Sequence, residues 1–515
     1  MLQSSMPQIK KIVVLMLENR SLDNLLGWLY PPGSPNLNIY PQGSSANFDG
    51  LLPNTFFQPY KTVWGDVVHY PVVPAPDNLG KNQDAIPYWD PTEEMYARTT
   101  WNGVLNQMFG DYRRITGMPA ATAQPGMSGF YQDYYNYEMA DWKGMDILWT
   151  YTPRQLPIIN GLARAYGVSD AWFCSVPTQT NPNRAFSIIG TSQGRNNNTW
   201  NAVEQFPGKT VFNGIGRKKS WGLYFDKPWK DTRSYTEYTF PGLSNSGGDI
   251  GLLDRFFTLA KSGDLPDFTY LEPRWGYGLY GPNVQGWDYH PPTHCNPGET
   301  FLFKVFHALY NGKKWEETLL VVTFDEHGGT FDHVPPLAKA INPDGRIGEY
   351  GFDFTRFGAR VPTILISPFV KRNTVFRAPA GSKYPFDHTS LIKTFLMWAG
   401  VDPNDPTLEL GRRMPAAPTF EGVLSKTIVN DDKLLDLVPP PEPSYDTEMM
   451  PGTNLPGPYS GEPLNALFEG IPFASVRAIL ANNRSLVGIM EWIERYLADP
   501  QAFEAALEKD EAPVL

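Results

Sequence analysis

The sequence predicts an α/β protein whose sheet carries long loop insertions. Apolar, β-branched runs of strand length alternate along the chain with segments that have helical apolar spacing. The 515 residues are 41% hydrophobic, which is enough for a large buried core. The 49 Pro and 46 Gly are typical of a protein rich in long, well-packed loops, which usually build the walls of a site on an α/β scaffold.

Local patterns place the predicted elements along the chain. Apolar runs bounded by turn residues predict strands at 9–17, 221–225, 268–271, 319–324 and 361–367. Apolar residues at helical spacing predict helices at 22–30, 156–166, 185–189, 252–260, 298–310 and 387–398. Pro, Gly, Asn and aromatic residues predict mainly loops between 31 and 140, with short periodic pieces such as 101–109.

The segment 318–336 combines a predicted central strand with a polar exit loop. The strand 319–324 brings Asp325 and Glu326 to its carboxyl end, two glycines then allow a sharp turn, and His333 follows. Carboxylates and imidazoles on one turn suit a hard metal ion and proton transfer. The alternative is a solvated polar loop that only caps the strand.

The first predicted strand, 9–17, ends in a second polar group. Glu18 and Asn19 follow it directly and precede a predicted helix, so a carboxylate and an amide lie at a helix N-terminus, which suits a cation together with a phosphate. Ser21 as N-cap with Asp23 in the first turn is a purely structural alternative. That alternative leaves Glu18 and Asn19 unexplained.

A hydroxyl-rich loop at 173–184 supplies the candidate nucleophile. It leads into the predicted helix 185–189, and a nucleophile at such a junction gains from the positive end of the helix and from free backbone N–H donors. Thr180 is the best-placed hydroxyl, with Thr178 and Ser175 behind it. The alternative is a turn whose Asn and Thr side chains satisfy only their own backbone.

Two further residues complete the candidate chemistry. Glu272 closes the strand 268–271, and His290 is held between an acid and two prolines. Because open α/β sheets bind ligands at the carboxyl ends of their strands, Glu18, Glu272 and Asp325 are expected at one sheet edge. This set favours a hydrolase in which a metal activates a hydroxyl and neutralises phosphate charge, while histidine serves the leaving group.

Bulk properties exclude several classes of protein. The net charge of −11 and the pI of about 5.2 give no basic face for nucleic acid. No phosphate loop of the G-x-x-x-x-G-K-S/T type is present. The two cysteines form no disulfide framework, and no apolar run has the length of a membrane span. The start has no small-residue cleavage site, so we expect a cytoplasmic protein or export by a non-classical route.

Seven segments together resemble a known family, the bacterial, fungal and plant phosphoesterases that include phospholipase C and an acid phosphatase. They occur in order over roughly residues 10 to 425, and their combination is highly specific. The segments are IVVLMLENRSLDNLLG, TNPNR, WDYHPP, TLLVVTFDEHGGTFDHVPP, GARVPTILISP, FDHTS and LGRRMPAAPTFEGVLS.

The resemblance implies an alkaline-phosphatase-like fold, a three-layer α/β/α sandwich with a mixed, mostly parallel sheet. It also implies one or more divalent metal ions, with Zn, Ca, Mg and Mn all compatible with oxygen-rich ligands. The residues carried over as metal ligands are Glu18, Asn19, Thr180, Asp325 and Glu326. Those carried over as catalytic are Thr180, His290 and Asn19, and further candidates for the site are His333, His388, Arg184 and Glu272.

One departure from the family pattern concerns a histidine. Members often have a histidine after a P-D-P-G stretch, whereas the corresponding segment 76–81 has none and ends in Lys81.

The composition of the chain changes near residue 425. We therefore predict a catalytic domain at 1–430 and a Pro-rich strap with a helical appendage at 431–515.

The expected function is hydrolysis of phosphate esters through a covalent phospho-threonine. A phospholipase C type diesterase acting on phospholipids is the first choice, and an acid phosphatase of broad specificity is the alternative. A sulfatase-like enzyme is disfavoured because neither C-x-P-x-R nor S-x-P-x-R occurs around the nucleophile. A non-catalytic binding protein on the same fold is the alternative from another class.

Overall fold

We describe the protein from a computed structural model. It describes residues 3–61, 66–75, 100–110, 123–138, 146–198, 205–226, 233–243, 246–275, 286–291, 295–336 and 339–430. The predicted appendage at 431–515 and Lys81 lie outside these residues, as do residues 276–285 of the aromatic segment before His290.

The described strands include one large sheet and two small ribbons. They are β1 (Lys11–Leu17), β2 (Asn38–Tyr40), β3 (Phe57–Lys61), β4 (Val67–Pro71), β5 (Val73–Pro74), β6 (Trp149–Thr150), β7 (Gly167–Ser169), β8 (Trp221–Phe225), β9 (Asp249–Leu252), β10 (Phe268–Leu271), β11 (Thr318–Phe324), β12 (Thr363–Ile366) and β13 (Thr374–Phe376). The large sheet has nine strands in the order β2-β13-β7-β12-β11-β1-β10-β8-β9.

All neighbouring strands of this sheet run parallel except at β12, which is antiparallel to both β11 and β7. The predicted α/β class with a mixed, mostly parallel sheet is therefore confirmed. β1 and β11 lie side by side near the middle of the sheet and are almost completely buried. Their continuous apolar sequences reflect this, because a strand covered by helices on both faces exposes neither set of side chains.

Helices cover the sheet in two groups. The described helices are α1 (Leu22–Leu26), α2 (Trp101–Phe109), α3 (Phe130–Glu138), α4 (Pro157–Ala165), α5 (Thr180–Ile188), α6 (Val211–Ile215), α7 (Tyr235–Thr239), α8 (Leu253–Ser262), α9 (Cys295–Tyr310) and α10 (His388–Ala399). α4 and α8 pack against α9, while α5 and α6 pack against α10, which gives the three layers. None of these helices is long and apolar enough to cross a bilayer.

The bounds of α5 and α1 differ most from the predicted ones. α5 begins at Thr180 and not at residue 185, because Pro182 falls in the first turn, where proline breaks no helical hydrogen bond. α1 ends at Leu26 and does not continue to residue 30. The earlier start of α5 makes Thr180 its first residue, so the candidate nucleophile lies within the positive helix end.

The insertion between β2 and β6 forms a second, smaller core. Side chains of α2 and α3 pack there with Phe331 and Ala359, which belong to loops that follow β11 and precede β12. Gln107 of α2 also contacts the imidazole of His327, with Oε1 2.9 Å from Nε2. The insertion therefore supports the loop that leaves the carboxyl end of β11.

Candidate active site

The hydroxyl of Thr180 lies between two residues from the exit of β1. Its Oγ1 atom is 3.3 Å from Glu18 Oε2 and 3.2 Å from Asn19 Oδ1. A hydroxyl has one proton and donates one good hydrogen bond at a time. A hydrogen bond from Thr180 therefore explains only one of these two short oxygen–oxygen distances. Thr180 is 5% exposed.

The exit loops of β1 and β11 interlock. Asn19 has a left-handed backbone, with φ 54°, and its N–H donates to Asp325 Oδ1 at 2.9 Å. Gly328 lies so close to this turn that a Cβ atom there would stand 1.9 Å from the Asn19 carbonyl oxygen. Only glycine fits at position 328, which also has a positive φ of 66°. The close contact fixes the two acidic loops relative to each other.

Arg184 is the main counter-charge to Glu18. Its Nε donates to Glu18 Oε1 at 2.9 Å, and its Nη2 is 2.6 Å from the same oxygen. Burial raises the pKa of Glu18 well above its usual value, Arg184 opposes that shift, and the charge of Asp325 adds to it. The site therefore concentrates negative charge that one guanidinium only partly balances.

Asp325 has one oxygen in use and one that is not hydrogen-bonded. Oδ1 accepts the N–H groups of Asn19 and Glu326, whereas Oδ2 is buried, accepts no hydrogen bond from any described residue and lies 3.7 Å from Arg184 Nε. A buried carboxylate oxygen in this state is costly unless a ligand contacts it. His388 supports the residue from behind, with Nε2 2.5 Å from the Asp325 carbonyl oxygen.

The donor set fits a divalent cation. Among the described residues no group of three or more His, Cys, Asp and Glu side chains is spaced to hold a metal ion. The candidate set differs from such a group because it mixes carboxylates with the Asn19 amide and the Thr180 hydroxyl. Hard cations take oxygen ligands of all three types. The unsatisfied Asp325 Oδ2 and the excess negative charge around Glu18 are both features that a bound cation would relieve.

Glu326, predicted as a ligand beside Asp325, is turned partly toward its own loop. Its Oε2 accepts the Gly328 N–H at 2.7 Å and lies 3.4 Å from His327 Nδ1. His327 itself is fully buried, and burial lowers its pKa to about 3. A neutral His327 therefore adds no positive charge to the site.

His290 lies in the described loop 286–291, which is joined to the exit of β1. The Glu18 N–H donates to the Asp288 carbonyl at 2.9 Å, and the His290 N–H donates to Asp288 Oδ1 at 3.2 Å. His290 Nδ1 is 2.5 Å from the Pro291 carbonyl oxygen, so Nδ1 carries a proton and Nε2 is the nitrogen that exchanges one. Burial lowers the pKa of His290, while Asp288 and Asp325 partly oppose this.

Two predicted site residues are engaged elsewhere. Glu272 accepts the N–H groups of Tyr235 and Thr236 at 3.0 and 2.6 Å, so its carboxylate binds the start of α7. His333 lies in a separate ion network, with Nδ1 2.6 Å from Asp23 Oδ2. The structure therefore brings together Glu18, Asn19, Thr180, Asp325 and Arg184 but leaves Glu272 and His333 with other partners.

Sequence reasoning missed the role of Asp288 and the aromatic cover of Arg184. Asp288 connects the His290 loop to β1, and its position two residues before His290 was the available signal. The Arg184 guanidinium lies 4.7 Å from the ring centre of Trp275, a cation–π contact that shields the ion pair from water. No local pattern around Trp275 predicts that contact.

A buried hydroxyl at a helix N-terminus, beside acids at the carboxyl edge of a mixed α/β sheet, is an arrangement that suits ester hydrolysis. The chain belongs to the phosphoesterase family, whose model matches residues 9–399. It is therefore a hydrolase that acts on phosphate ester bonds.

Several relatives of known name are similar over most of the chain. Non-specific phospholipase C4 of Arabidopsis thaliana is 31% identical over 437 residues, which are 82% of this chain and 73% of that protein. Non-specific phospholipase C3 of the same plant is 30% identical and covers 84% and 81%. Non-hemolytic phospholipase C of Burkholderia pseudomallei is 26% identical and covers 75% and 54%. The similarity thus spans plant and bacterial proteins.

Two solved structures are similar to this chain at lower sequence identity. One is a protein in the alkaline phosphatase superfamily from Vibrio parahaemolyticus, with 14% identity, a TM-score of 0.29, and coverage of 52% of this chain and 64% of that one. The other is a lipoteichoic acid synthase from Listeria monocytogenes, with 10% identity, a TM-score of 0.29, and coverage of 53% and 70%.

Proposed function

We propose that the protein is a metal-dependent phosphodiesterase of the phospholipase C type that works through a phosphorylated Thr180. The observation that carries the proposal is the position of the Thr180 hydroxyl at the N-terminus of α5, beside Glu18 and Asn19. The names of the plant and bacterial relatives, all phospholipases C, support a phospholipid as substrate.

Thr180 Oγ1 attacks phosphorus in the first step. A bond forms between Oγ1 and phosphorus, the bond between phosphorus and the alkoxide oxygen of the leaving group breaks, and the hydroxyl proton passes to the Glu18 carboxylate. Glu18 is suited to accept it because its Oε2 is within hydrogen-bond distance and its pKa is raised by burial. Water then attacks phosphorus and gives a proton to Nε2 of His290, which is neutral after the first step. The bond between phosphorus and Thr180 Oγ1 breaks, Thr180 regains its proton from Glu18, and the head group leaves as a phosphomonoester.

His290 serves the leaving group. Diacylglycerol departs as an alkoxide, which needs a proton, and Nε2 of His290 donates it, since Nδ1 is engaged with the Pro291 carbonyl. An aryl leaving group forms a stable phenoxide and departs without this help. His290 should therefore matter far more for a phospholipid than for an aryl ester.

Glu18, Asn19, Thr180 and Asp325 would hold a divalent cation, with Glu326 beside them. When bound, such an ion lowers the pKa of a ligating hydroxyl and neutralises charge on the phosphate. Arg184 holds the two carboxylates in place, through its contacts with Glu18 Oε1 and its proximity to Asp325 Oδ2.

Three substrates test the proposal. Purified protein is assayed on phosphatidylcholine vesicles, on an aryl phosphodiester and on an aryl phosphate monoester, each with and without a chelator. We expect diacylglycerol release from the vesicles, loss of that activity with chelator, and recovery when metal is restored. Acid quenching during turnover of phosphatidylcholine, followed by peptide mass spectrometry, should find phosphocholine bound to Thr180, because the head group stays on phosphorus when diacylglycerol leaves.

Two results would contradict the proposal in different ways. Activity confined to the monoester would identify an acid phosphatase and exclude the phospholipase assignment. Turnover on all three substrates by Thr180→Val, at the wild-type rate, would exclude the phospho-threonine while leaving the substrate class intact.

A further inference from the structure

Tyr289, the residue before His290, adopts a backbone conformation that a large side chain rarely takes. Its φ is 69°, in the left-handed region, and the residue is fully buried. Such a conformation is unfavourable and persists only where the surroundings hold it. Residues held in this way cluster at functional sites, so the contacts of Tyr289 indicate what is being held.

Three elements fix Tyr289. Its carbonyl oxygen accepts a hydrogen bond from Arg20 Nε at 2.7 Å, and its hydroxyl donates to Glu299 Oε1 at 2.7 Å. Its ring lies directly against Gly298, where a Cβ atom would come within 2.4 Å of a ring carbon. The backbone, the ring and the hydroxyl are therefore each held by a different part of the molecule.

Glu299 is itself immobile. The buried carboxylate of this α9 residue also accepts the N–H groups of Ile158 and Ile159, at 2.6 and 3.0 Å, where α4 begins. Together with the Tyr289 hydroxyl, these N–H groups hold the Glu299 carboxylate in one orientation. The two helices concerned, α4 and α9, also pack against each other. The Tyr289 hydroxyl is thus bound to a rigid junction of the scaffold.

Arg20 connects Tyr289 to the candidate site. It follows Glu18 and Asn19 on the exit of β1, and it is 1% exposed. Its bond to the Tyr289 carbonyl links the His290 loop to the loop that carries two of the candidate metal ligands. His290 is therefore oriented by a neighbour that is bound both to the site and to the helical layer.

We infer that Tyr289 is a positioning residue, which Glu299 and Arg20 lock so that the His290 imidazole points at the leaving group. This inference rests on the proposed function, in which His290 donates the leaving-group proton. Tyr289 and Glu299 themselves do not touch the substrate.

The test compares two leaving groups in two variants. Tyr289→Phe keeps the ring and removes only the hydroxyl that binds Glu299. We expect its kcat on a phospholipid to fall by ~10-fold or more, since a misplacement of about 1 Å can cost about 10²-fold. On an aryl phosphodiester its kcat should stay within about twofold of the wild type, because that leaving group needs no proton. His290→Ala should show the same selectivity with a larger loss.

A matched control removes the same kind of bond on another element. Tyr224 of β8 is also buried and donates its hydroxyl to Asp249 Oδ2 at 2.8 Å. Tyr224→Phe should leave both activities unchanged. Thermal melting of each variant establishes that the folded protein is being assayed, and Glu299→Gln, which keeps an acceptor oxygen, should show a smaller loss than Tyr289→Phe.

The two variants distinguish a failure of the positioning role of Tyr289 from a failure of the general-acid role of His290. If Tyr289→Phe loses equally on both substrates, or on neither, while His290→Ala is selective for the phospholipid, the positioning role is wrong and the proposed function stands. If His290→Ala itself loses equally on both substrates, the general-acid role of His290 fails, and the inference about Tyr289 fails with it.

Discussion

Arg184 and Glu18 form an ion pair with a nitrogen–oxygen distance of 2.6 Å, and both side chains are almost completely buried. The pair joins the second turn of α5 to the exit of β1. Removing one partner of a buried pair leaves the other charge without compensation, which typically costs about 3–5 kcal/mol.

Arg184→Met should therefore lower the free energy of unfolding by ~3–5 kcal/mol, as measured by chemical denaturation. Arg217→Met is the control, because Arg217 pairs with Asp405 at 2.7 Å on a solvent-exposed surface, where ion pairs add little. Equal losses in the two variants would show that burial does not set the strength of the Arg184 pair.

Thr180 and Thr178 should give opposite phenotypes. Thr180→Val should reduce turnover by ~10³-fold or more with almost no change in Tm, since the hydroxyl is the proposed nucleophile. Thr178 donates its hydroxyl to the Asn196 carbonyl at 2.5 Å inside the protein. Thr178→Val should cost ~1–3 kcal/mol of stability and leave the folded enzyme active. The reverse pattern would assign the nucleophile to Thr178.

Metal removal should abolish activity and lower the Tm, because the acids at the sheet edge then repel one another. Asp325→Asn should lower the metal content measured by elemental analysis, whereas Asp267→Asn, at the partly buried pair with Lys11, should retain it. Full activity in protein that elemental analysis shows to be free of metal would overturn the metal-dependent part of the proposal.

The His333 network should make stability depend on pH. Asp23 and Asp49 accept from the two ring nitrogens, and the pKa of His333 is raised to about 9. Because the folded pKa lies above the ordinary value of 6.5, the contribution is complete below about pH 6.5 and is lost as the pH rises through 9. Of the other charges in the network, Arg360 stays protonated, and the pKa of Asp332, raised to about 6, lies below this window.

Melting curves of wild type and His333→Gln between pH 6 and pH 10 check this prediction. The Tm of the wild type should fall more steeply above about pH 7 than that of the variant. The corresponding difference in the free energy of unfolding should be on the order of 1–3 kcal/mol across the window. Parallel curves would show that protonated His333 adds no stability.

The elements that were predicted best are those whose signal is local. β8 and β10 have the predicted bounds, and β11 begins one residue earlier than predicted. In each case a continuous apolar run is followed by a polar or turn residue, and both signals lie within one short window. The acids at the ends of β1 and β11 were found for the same reason.

The direction of β12 was not predictable in this way. An apolar run reads the same in either direction, and only its neighbours β11 and β7 determine that it is antiparallel. The partners of the acids are equally non-local. Glu272 binds N–H groups of α7, and His333 binds Asp23 from a position 310 residues away in sequence. The sequence therefore indicates the chemistry of a carboxylate or an imidazole but does not identify its partner.

The order of strands in the sheet has a consequence for the newly made chain. β1 is synthesised before both of its neighbours, β10 and β11, which come from residues 268–271 and 318–324. Contacts between such distant segments form slowly, because a long loop has to close first. A nascent chain thus carries Glu18 and Asn19 on a strand that lacks at least one of its two neighbours until β11 has left the ribosome. A product that terminates before Asp325 lacks one of the proposed metal ligands, so we expect it to have no hydrolytic activity.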